Sequence, residues 1–309
     1  MTNANQPITF QSDTLQRFIF DNVEIRGEWV HLHETWQDVT SRREYPIALR
    51  HLIGQMMAAA SLLTATVKIT GRLVLQIKSA GPVNLIMVEC TSANTLRAFA
   101  QWDDESTPLA DDATLAELTG DGVLAITIEQ EGAKQPYQGI VSLDGGSCVA
   151  DLLEIYFRQS EQLGTRIWLS ADDQSVAGLL LQQLPSADLE SDNETEDWSR
   201  ISQLASTVTE PELLTLGSGT LLHRLFHDEK CRLLSSTALQ FACNCSRERV
   251  ANTISMLGQE DALALVEEQG RVEVACEFCN EHYYFDETDV ALIFKQTSGC
   301  PLFKSNTVH

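Results

Sequence analysis

Cys243-Asn244-Cys245-Ser246-Arg247-Glu248-Arg249-Val250, followed after a long insert by Cys276-Glu277-Phe278-Cys279, sets the reading of the whole chain. A Cys-x-Cys and a Cys-x-x-Cys turn together supply the four soft donors of a tetrahedral thiolate zinc site. Cys243, Cys245, Cys276 and Cys279 are therefore the predicted metal ligands, for one Zn(II) per chain in the reduced state. When oxidised, the same sulfurs can release the metal and become two disulfides, so the cluster carries the chemistry of a redox switch.

The residues around the cluster make a small module. Two helical stretches lie between the Cys pairs; Ser246 is placed to cap the first and Gly270 to end the second. Arg271 to Phe285 reads as a hairpin, with Val272, Val274, Cys276 and Phe278 at alternate positions and the turn near Asn280. A segment running only from about Cys231 to Gln296 has a small core, so a bound metal contributes a large share of its folding free energy. His282 is read as a surface group or one that supports a ligand. Arg247 and Arg249 either offset the charge of four thiolates or cover an exposed helix start.

Upstream, Pro185 begins a composition shift in which Asp188, Glu190, Asp192, Glu194, Glu196 and Asp197 fall close together, the mark of a solvated linker. Trp198, Ile201, Leu204 and Val208, then Leu213, Leu214, Leu221, Leu222, Leu225 and Phe226, mark amphipathic helices that need an apolar surface to dock on. Further back, Pro46 to Val67 predicts a helix apolar nearly all round, which belongs in a core. Strands are predicted at Arg72–Lys78, at Val83–Cys90 with both faces buried, around Leu124, Ile126 and Ile128, and at Tyr137–Leu143 and Thr165–Ser170. A helix is predicted over about Ser147–Gln162.

The expected fold class is α+β. An N-terminal sheet-and-helix core domain occupies residues 1–184. A helical linker, acidic then amphipathic, covers 185–230, a zinc-binding redox-switch domain 231–296, and a flexible tail 297–309.

The formal charge of −23 over 309 residues argues against binding a phosphate backbone, which needs clustered Lys and Arg. The N-terminus lacks the features of a secretory signal, and Met56–Ala65, the longest mostly apolar stretch, is short for a bilayer span, so a cytoplasmic protein without a membrane segment is expected. Eight cysteines in a reducing compartment read as thiols or metal ligands rather than a permanent disulfide framework.

Other chemistry is thin. Cys148 at a helix start reads as a buried small hydrophobe, and His223 with His227 lacks the Glu of a zinc-protease motif, Arg224 standing in its place. No phosphate loop, dinucleotide fingerprint or nucleophile elbow appears, and the chain is read as a non-enzyme. Two alternatives remain. One is a thiol-disulfide oxidoreductase using Cys276 and Cys279, disfavoured by Glu277 between them and by the lack of a flanking βαβ pattern; the other is a structural zinc module for protein docking.

CNCSRERV at 243–250 and CEFCNEHYYFD at 276–286, with YFRQSEQLGTRIWL in the first domain and ELLTLGSGTLLHRLFHDE before the switch, resemble the redox-regulated thirty-three-kilodalton heat-shock holdases along essentially the whole chain. That resemblance implies an ATP-independent chaperone held inactive by zinc and activated by oxidants. It also implies disulfides Cys243–Cys245 and Cys276–Cys279 after oxidation, an active homodimer, unfolded client proteins as partners, and a linker that loses its fold with the switch. The residues alone leave all three pairings of four cysteines open. Cys231 and Cys300 lie near the switch but outside its motif and read as extra thiols.

Overall fold

The computed structural model describes residues 11–67, 69–103, 108–185 and 192–297, with side chains of 192–195 and 296–297 excepted. The first residues of the linker's acidic run, the tail beyond 297 and Cys300 lie outside them. The chain divides into two compact units, Met1–Ala242 and Cys243–His309.

In chain order the core unit contains β1 (Thr14–Phe20), β2 (Ile25–Leu32), α1 (Glu34–Thr40), α2 (Ile47–Thr66), β3 (Gly71–Ser79), β4 (Val83–Thr91), β5 (Thr95–Trp102), α3 (Leu115–Thr119), β6 (Gly122–Gln130), β7 (Tyr137–Ser142) and α4 (Val149–Tyr156), which runs on as a π-turn over Phe157–Glu161. Then come β8 (Thr165–Ala171), β9 (Val176–Gln183), α5 (Asp192–Ala205), α6 (Glu210–Thr215), α7 (Ser218–Phe226), β10 (Cys231–Ala238) and β11 (Gln240–Phe241). The strands form a five-stranded sheet ordered β10-β1-β2-β9-β8 and a six-stranded sheet ordered β11-β5-β4-β3-β6-β7.

Helix α2 lies between these sheets and touches strands of both. By length and composition it could cross a membrane, yet Leu49, Ile53, Met56, Met57 and Leu62 are fully buried in the core that the sheets enclose. Close approach is secured by missing side chains: a Cβ on Gly54 would come 2.8 Å from Val176, and one on Gly178 2.8 Å from Leu62. Pro46 precedes the first turn in extended geometry, as its fixed φ favours.

The other face of the five-stranded sheet carries Phe18, Phe20, Ile25, Trp29, Leu179 and Leu181, and here the linker helices find the apolar surface that their sequence demands. Ile201 and Ala205 of α5, Leu213 and Leu214 of α6, and Leu221, Leu222, Leu225 and Phe226 of α7 are buried against it. Phe226 stacks edge-on with Phe20 at 5.1 Å. Thr209 and Glu212 form a capping box at the start of α6. His31 Nε2 lies 2.9 Å from the Leu214 carbonyl oxygen, a direct polar tie between sheet and linker.

Two sequence expectations shift in detail. Strand β4 is not buried on both faces: Ile86, Val88 and Cys90 point inward, while Leu85 and Met87 are half-buried and Asn84 is exposed. Residues 231–241, read with the cysteine module, run instead as strands in the core unit. There β10 pairs antiparallel with β1 from Phe20↔Cys231 to Thr14↔Ala238, and β11 pairs with β5. The exposed side chains of β10, an edge strand, leave little hydrophobic alternation to read.

The second unit contains α8 (Arg247–Leu257), α9 (Gln259–Gln269), a hairpin of β12 (Val272–Ala275) and β13 (His282–Phe285), and α10 (Glu287–Thr297). Ser246 Oγ accepts from the Arg249 N–H and caps α8. Gly270 ends α9 at φ +79°, a left-handed position that only glycine fills cheaply. Val250, Ile254, Ala262, Val272, Phe285 and Val290 make up its small buried core.

Candidate metal and redox site

The Sγ atoms of Cys243, Cys245, Cys276 and Cys279 all lie within 4.8 Å of one another. Cys243 and Cys245 sit just before α8, on a segment fixed by the Ser246 cap. Cys276 and Cys279 occupy the loop between β12 and β13, which turns back on itself through Cys276 N–H to Glu281 O at 2.9 Å and Asn280 N–H to Cys276 O at 2.8 Å. Asn280 takes φ +55° there, a conformation that asparagine tolerates better than most residues. Cys245 Sγ lies 3.3 Å from Cys279 Sγ, and Cys243 Sγ 3.7 Å from Cys276 Sγ.

These spacings suit a metal. With Zn–S near 2.3 Å, tetrahedral geometry sets sulfurs about 3.8 Å apart, inside the range observed, so the cluster could hold a metal ion. Burial pushes the Cys243 thiol up, but hydrogen bonds from the Cys245 backbone and from the neighbouring sulfurs outweigh it and bring it down to about 7. Burial dominates at Cys276 and Cys279, raising both.

Two neighbours shape the site in ways the spacing of cysteines does not reveal. The Tyr283 hydroxyl, on β13, donates to Cys245 Sγ at 3.2 Å. Arg247 donates to the Tyr284 carbonyl oxygen and to Asp289 Oδ2, both at 2.7 Å, and lies over the Phe285 ring at 4.3 Å. It clamps the start of α8 to the hairpin and α10. Arg249 gives its backbone N–H to the cap and leaves its side chain exposed. His282 is exposed and bonded to Glu273 Oε1 at 2.9 Å. No spacing in the sequence marks Tyr283 as a neighbour of the cluster, since Tyr283 and Cys245 meet only in three dimensions.

The remaining candidates stand apart. Cys148 precedes the first turn of α4 with its thiol raised by burial. Cys231 starts β10, and burial pushes it up to about 11. His223 is exposed on α7, and His227, exposed just past its end, faces Asp228.

Fold and site together define a two-part α+β protein, a large mixed core joined to a small unit built around a four-thiol cluster. The sequence profile of the Hsp33 protein family matches residues 13–286. A relative from Pseudomonas fluorescens strain SBW25, named 33 kDa chaperonin, is 48% identical over 286 residues, covering 92% of this chain and 94% of its own. One of the same name from Nitrosococcus oceani is 44% identical over 290 residues, covering 94% and 97%. The crystal structure of the 33 kDa chaperonin of Thermotoga maritima superposes with a TM-score of 0.79 at 22% identity, covering 93% of this chain and all of that one, a likeness of fold. This chain belongs to the Hsp33 family, a family of chaperones rather than enzymes.

Proposed function

We propose that this chain is an ATP-independent, redox-regulated cytoplasmic holdase whose client-holding surface is closed in the reduced state by Cys243, Cys245, Cys276 and Cys279 acting as zinc ligands. The observation that carries this reading is the cluster itself: four sulfurs within 4.8 Å of one another, in a unit whose apolar core among the described residues is small. Zinc bound there would supply a cross-link between the segment before α8 and the β12–β13 loop, and with it much of that unit's stability.

The thiolate steps follow from the residues. A thiolate takes one oxygen atom from peroxide to give a sulfenic acid, releasing hydroxide; a neighbouring thiol then displaces its oxygen as water, forming an S–S bond. Disulfides are poor ligands, so the metal is lost. The family resemblance implies Cys243–Cys245 and Cys276–Cys279, and the structure also sets Cys245 3.3 Å from Cys279 and Cys243 3.7 Å from Cys276, across the pairs. Peptide mapping of the oxidised chain decides between them.

In this reading residues 1–184 and the linker helices of 185–230 hold clients, and 231–296 carry the switch, with 231–241 docked as strands in the reduced state. Undocking α5–α7 uncovers Phe18, Phe20, Trp29 and Leu179, together with the helices' own Leu221 and Leu225, and such surface binds unfolded chains. The active form is proposed to be a homodimer. An oxidoreductase reading gains nothing from the geometry, since burial raises both thiols of its Cys-x-x-Cys pair where a nucleophile needs a lowered one.

The test measures zinc content, free thiols and suppression of aggregation of a denatured client, before and after peroxide with gentle warming. All three change together if the reading holds. Loss of zinc and thiols with flat holding activity sinks it.

A further inference from the structure

Strand β10 holds its place mainly by its backbone. It is the outermost strand of the five-stranded sheet, paired antiparallel with β1 from Phe20↔Cys231 to Thr14↔Ala238. Most of its side chains are exposed, Leu233 by 45% and Leu234 by 38%, so they bury little apolar area to fasten it. The Arg232–Asp21 ion pair at 3.0 Å is largely exposed and adds little.

The bonds at the two ends of β10 show which groups make its ladder. The Asp21 N–H donates to the Lys230 carbonyl at 3.0 Å, and the Leu239 N–H donates to the Asp13 carbonyl at 2.7 Å. Bonds toward β10 therefore issue from odd-numbered residues of β1, since alternate residues of a strand point their N–H and C=O to the same side. By that alternation the N–H groups of Arg232, opposite Ile19, and Thr237, opposite Leu15, face β1. Those of Leu233, opposite Phe18, and Ser236, opposite Gln16, face outward. Between these stretches Leu234 and Ser235 stand against Arg17 as a bulge, where Gln16 Nε2 donates to the Leu234 carbonyl at 2.6 Å.

Both flanks of β10 belong to segments that the redox reading releases. Helix α7 ends at Phe226 before it, and after it the two-residue β11 leads through Ala242 to Cys243. With α7 undocked and the cysteine unit unfolded, β10 loses its anchors at both ends, and an edge with few buried side chains opens at low cost. Its departure unpairs the N–H and C=O groups along one edge of β1, beside Phe18 and Phe20, which the linker helices uncover at the same time. Such an edge takes an extended chain through main-chain bonds and selects it by side chains at alternate positions. Here Leu233 lies opposite Phe18 and Cys231 opposite Phe20, so apolar residues at those two positions are favoured as cross-strand neighbours.

We propose that β10 is an internal stand-in for client, and that the β1 edge it vacates on oxidation adds an extended segment of an unfolded polypeptide as a new edge strand, apolar opposite Phe18 and Phe20. The inference rests on the holdase reading and gives it a site and a mode of holding. Main-chain pairing tolerates many sequences, which suits clients that have in common only that they are unfolded.

The probe is a fluorescent peptide copying Lys230–Leu239 with Cys231→Val. Two further versions carry backbone N-methyl groups, one at Arg232 and Thr237 and the other at Leu233 and Ser236, with charge and side chains unchanged. Fluorescence anisotropy follows each on the full-length chain, either reduced and zinc-loaded or oxidised with peroxide. The parent peptide binds the oxidised chain and not, at the same concentration, the reduced one, whose edge is filled. Methylation at Arg232 and Thr237 weakens binding about tenfold or more, the scale of two backbone hydrogen bonds, and methylation at Leu233 and Ser236 leaves it within roughly twofold. A denatured client displaces the peptide.

No binding, equal binding to the two oxidation states, equal binding of the two methylated peptides, or a peptide that client does not displace overturns the inference. If sedimentation shows the peptide splitting an oxidised dimer, the edge serves a second copy of this chain and the client assignment falls. Zinc release and client holding are followed on the same samples. Holding that rises on oxidation while the methylated peptides bind alike removes the strand site and leaves the redox reading standing; holding that stays flat removes the reading on which the site rests.

Discussion

Trp36, Leu49, Ile53 and Met56 sit in a core that two sheets close around one helix, whereas among the described residues the apolar core of the cysteine unit is Val250, Ile254, Ala262, Val272, Phe285 and Val290. Met256, Leu257 and Leu292 of the smaller unit remain largely exposed. One region folds on apolar area; the other, in the proposed reading, relies on a metal cross-link among its sulfurs. In that reading the contrast makes thiol chemistry a structural signal, because removing the link would unfold the smaller part and spare the larger. The linker helices lie between these extremes, since their stability comes from one docked face.

The largest expected effect is metal removal. Stripping zinc with a chelator, or Cys276→Ser, removes a contribution on the order of 10 kcal/mol from the cysteine unit. Amide exchange at Val250, Ile254 and Val272 then becomes fast, and that at Leu49 through Leu62 stays slow. Equal loss of protection in both units would break the contrast.

Next is Leu221→Ala. Leu221, on the docked face of α7, is fully buried, so truncation costs about 2–5 kcal/mol, concentrated in the docking of α5–α7. Client holding rises in the reduced protein while zinc content is unchanged; an unchanged aggregation assay would count against docking as the restraint.

Within the core, Glu28 provides a smaller effect with a definite sign. Its folded pKa of about 7 lies above the ordinary 4.5, so folding takes up a proton between those values. The stability due to this group is full below about 4.5 and is lost as pH rises through about 7. Glu28→Gln flattens that slope and gains at most about 3 kcal/mol over wild type at pH 8. Urea unfolding at pH 5, 6, 7 and 8 reads the difference, and parallel curves would show the carboxyl is not desolvated.

Smallest is Tyr283→Phe, which deletes the hydroxyl donated to Cys245. A hydrogen bond of about 1 kcal/mol translates into zinc release a few-fold faster under peroxide, with the far-ultraviolet spectrum unchanged. No change in rate would reduce Tyr283 to packing.

The cysteine cluster was legible because chelating turns are local: Cys-x-Cys and Cys-x-x-Cys declare themselves by spacing, as do the Ser246 cap and the Gly270 stop. Helix α2 was legible from its length and its Pro46 start. Strands β2 and β9 were not, because both of their faces are covered. Leu179 and Leu181 meet the linker while Gly178 and Leu180 meet α2 and its surroundings, so no alternation of polar and apolar residues marks them. Strand β10 escaped for the opposite reason, with almost every side chain exposed. Glu28, the hydrogen bond of Tyr283 and the clamp of Arg247 depend on contacts between segments distant in sequence, which no local pattern encodes.

The central claim is that oxidation of four sulfurs is read out as loss of structure in the cysteine unit and undocking of the linker. Hydrogen exchange resolved by peptide, followed together with zinc release during peroxide treatment, tests it most directly. The account predicts that protection falls across α8–β13 and α5–α7 in step with zinc loss, while α2 and the strands packed on it keep theirs. Client holding that appears while α5–α7 remain protected would contradict it.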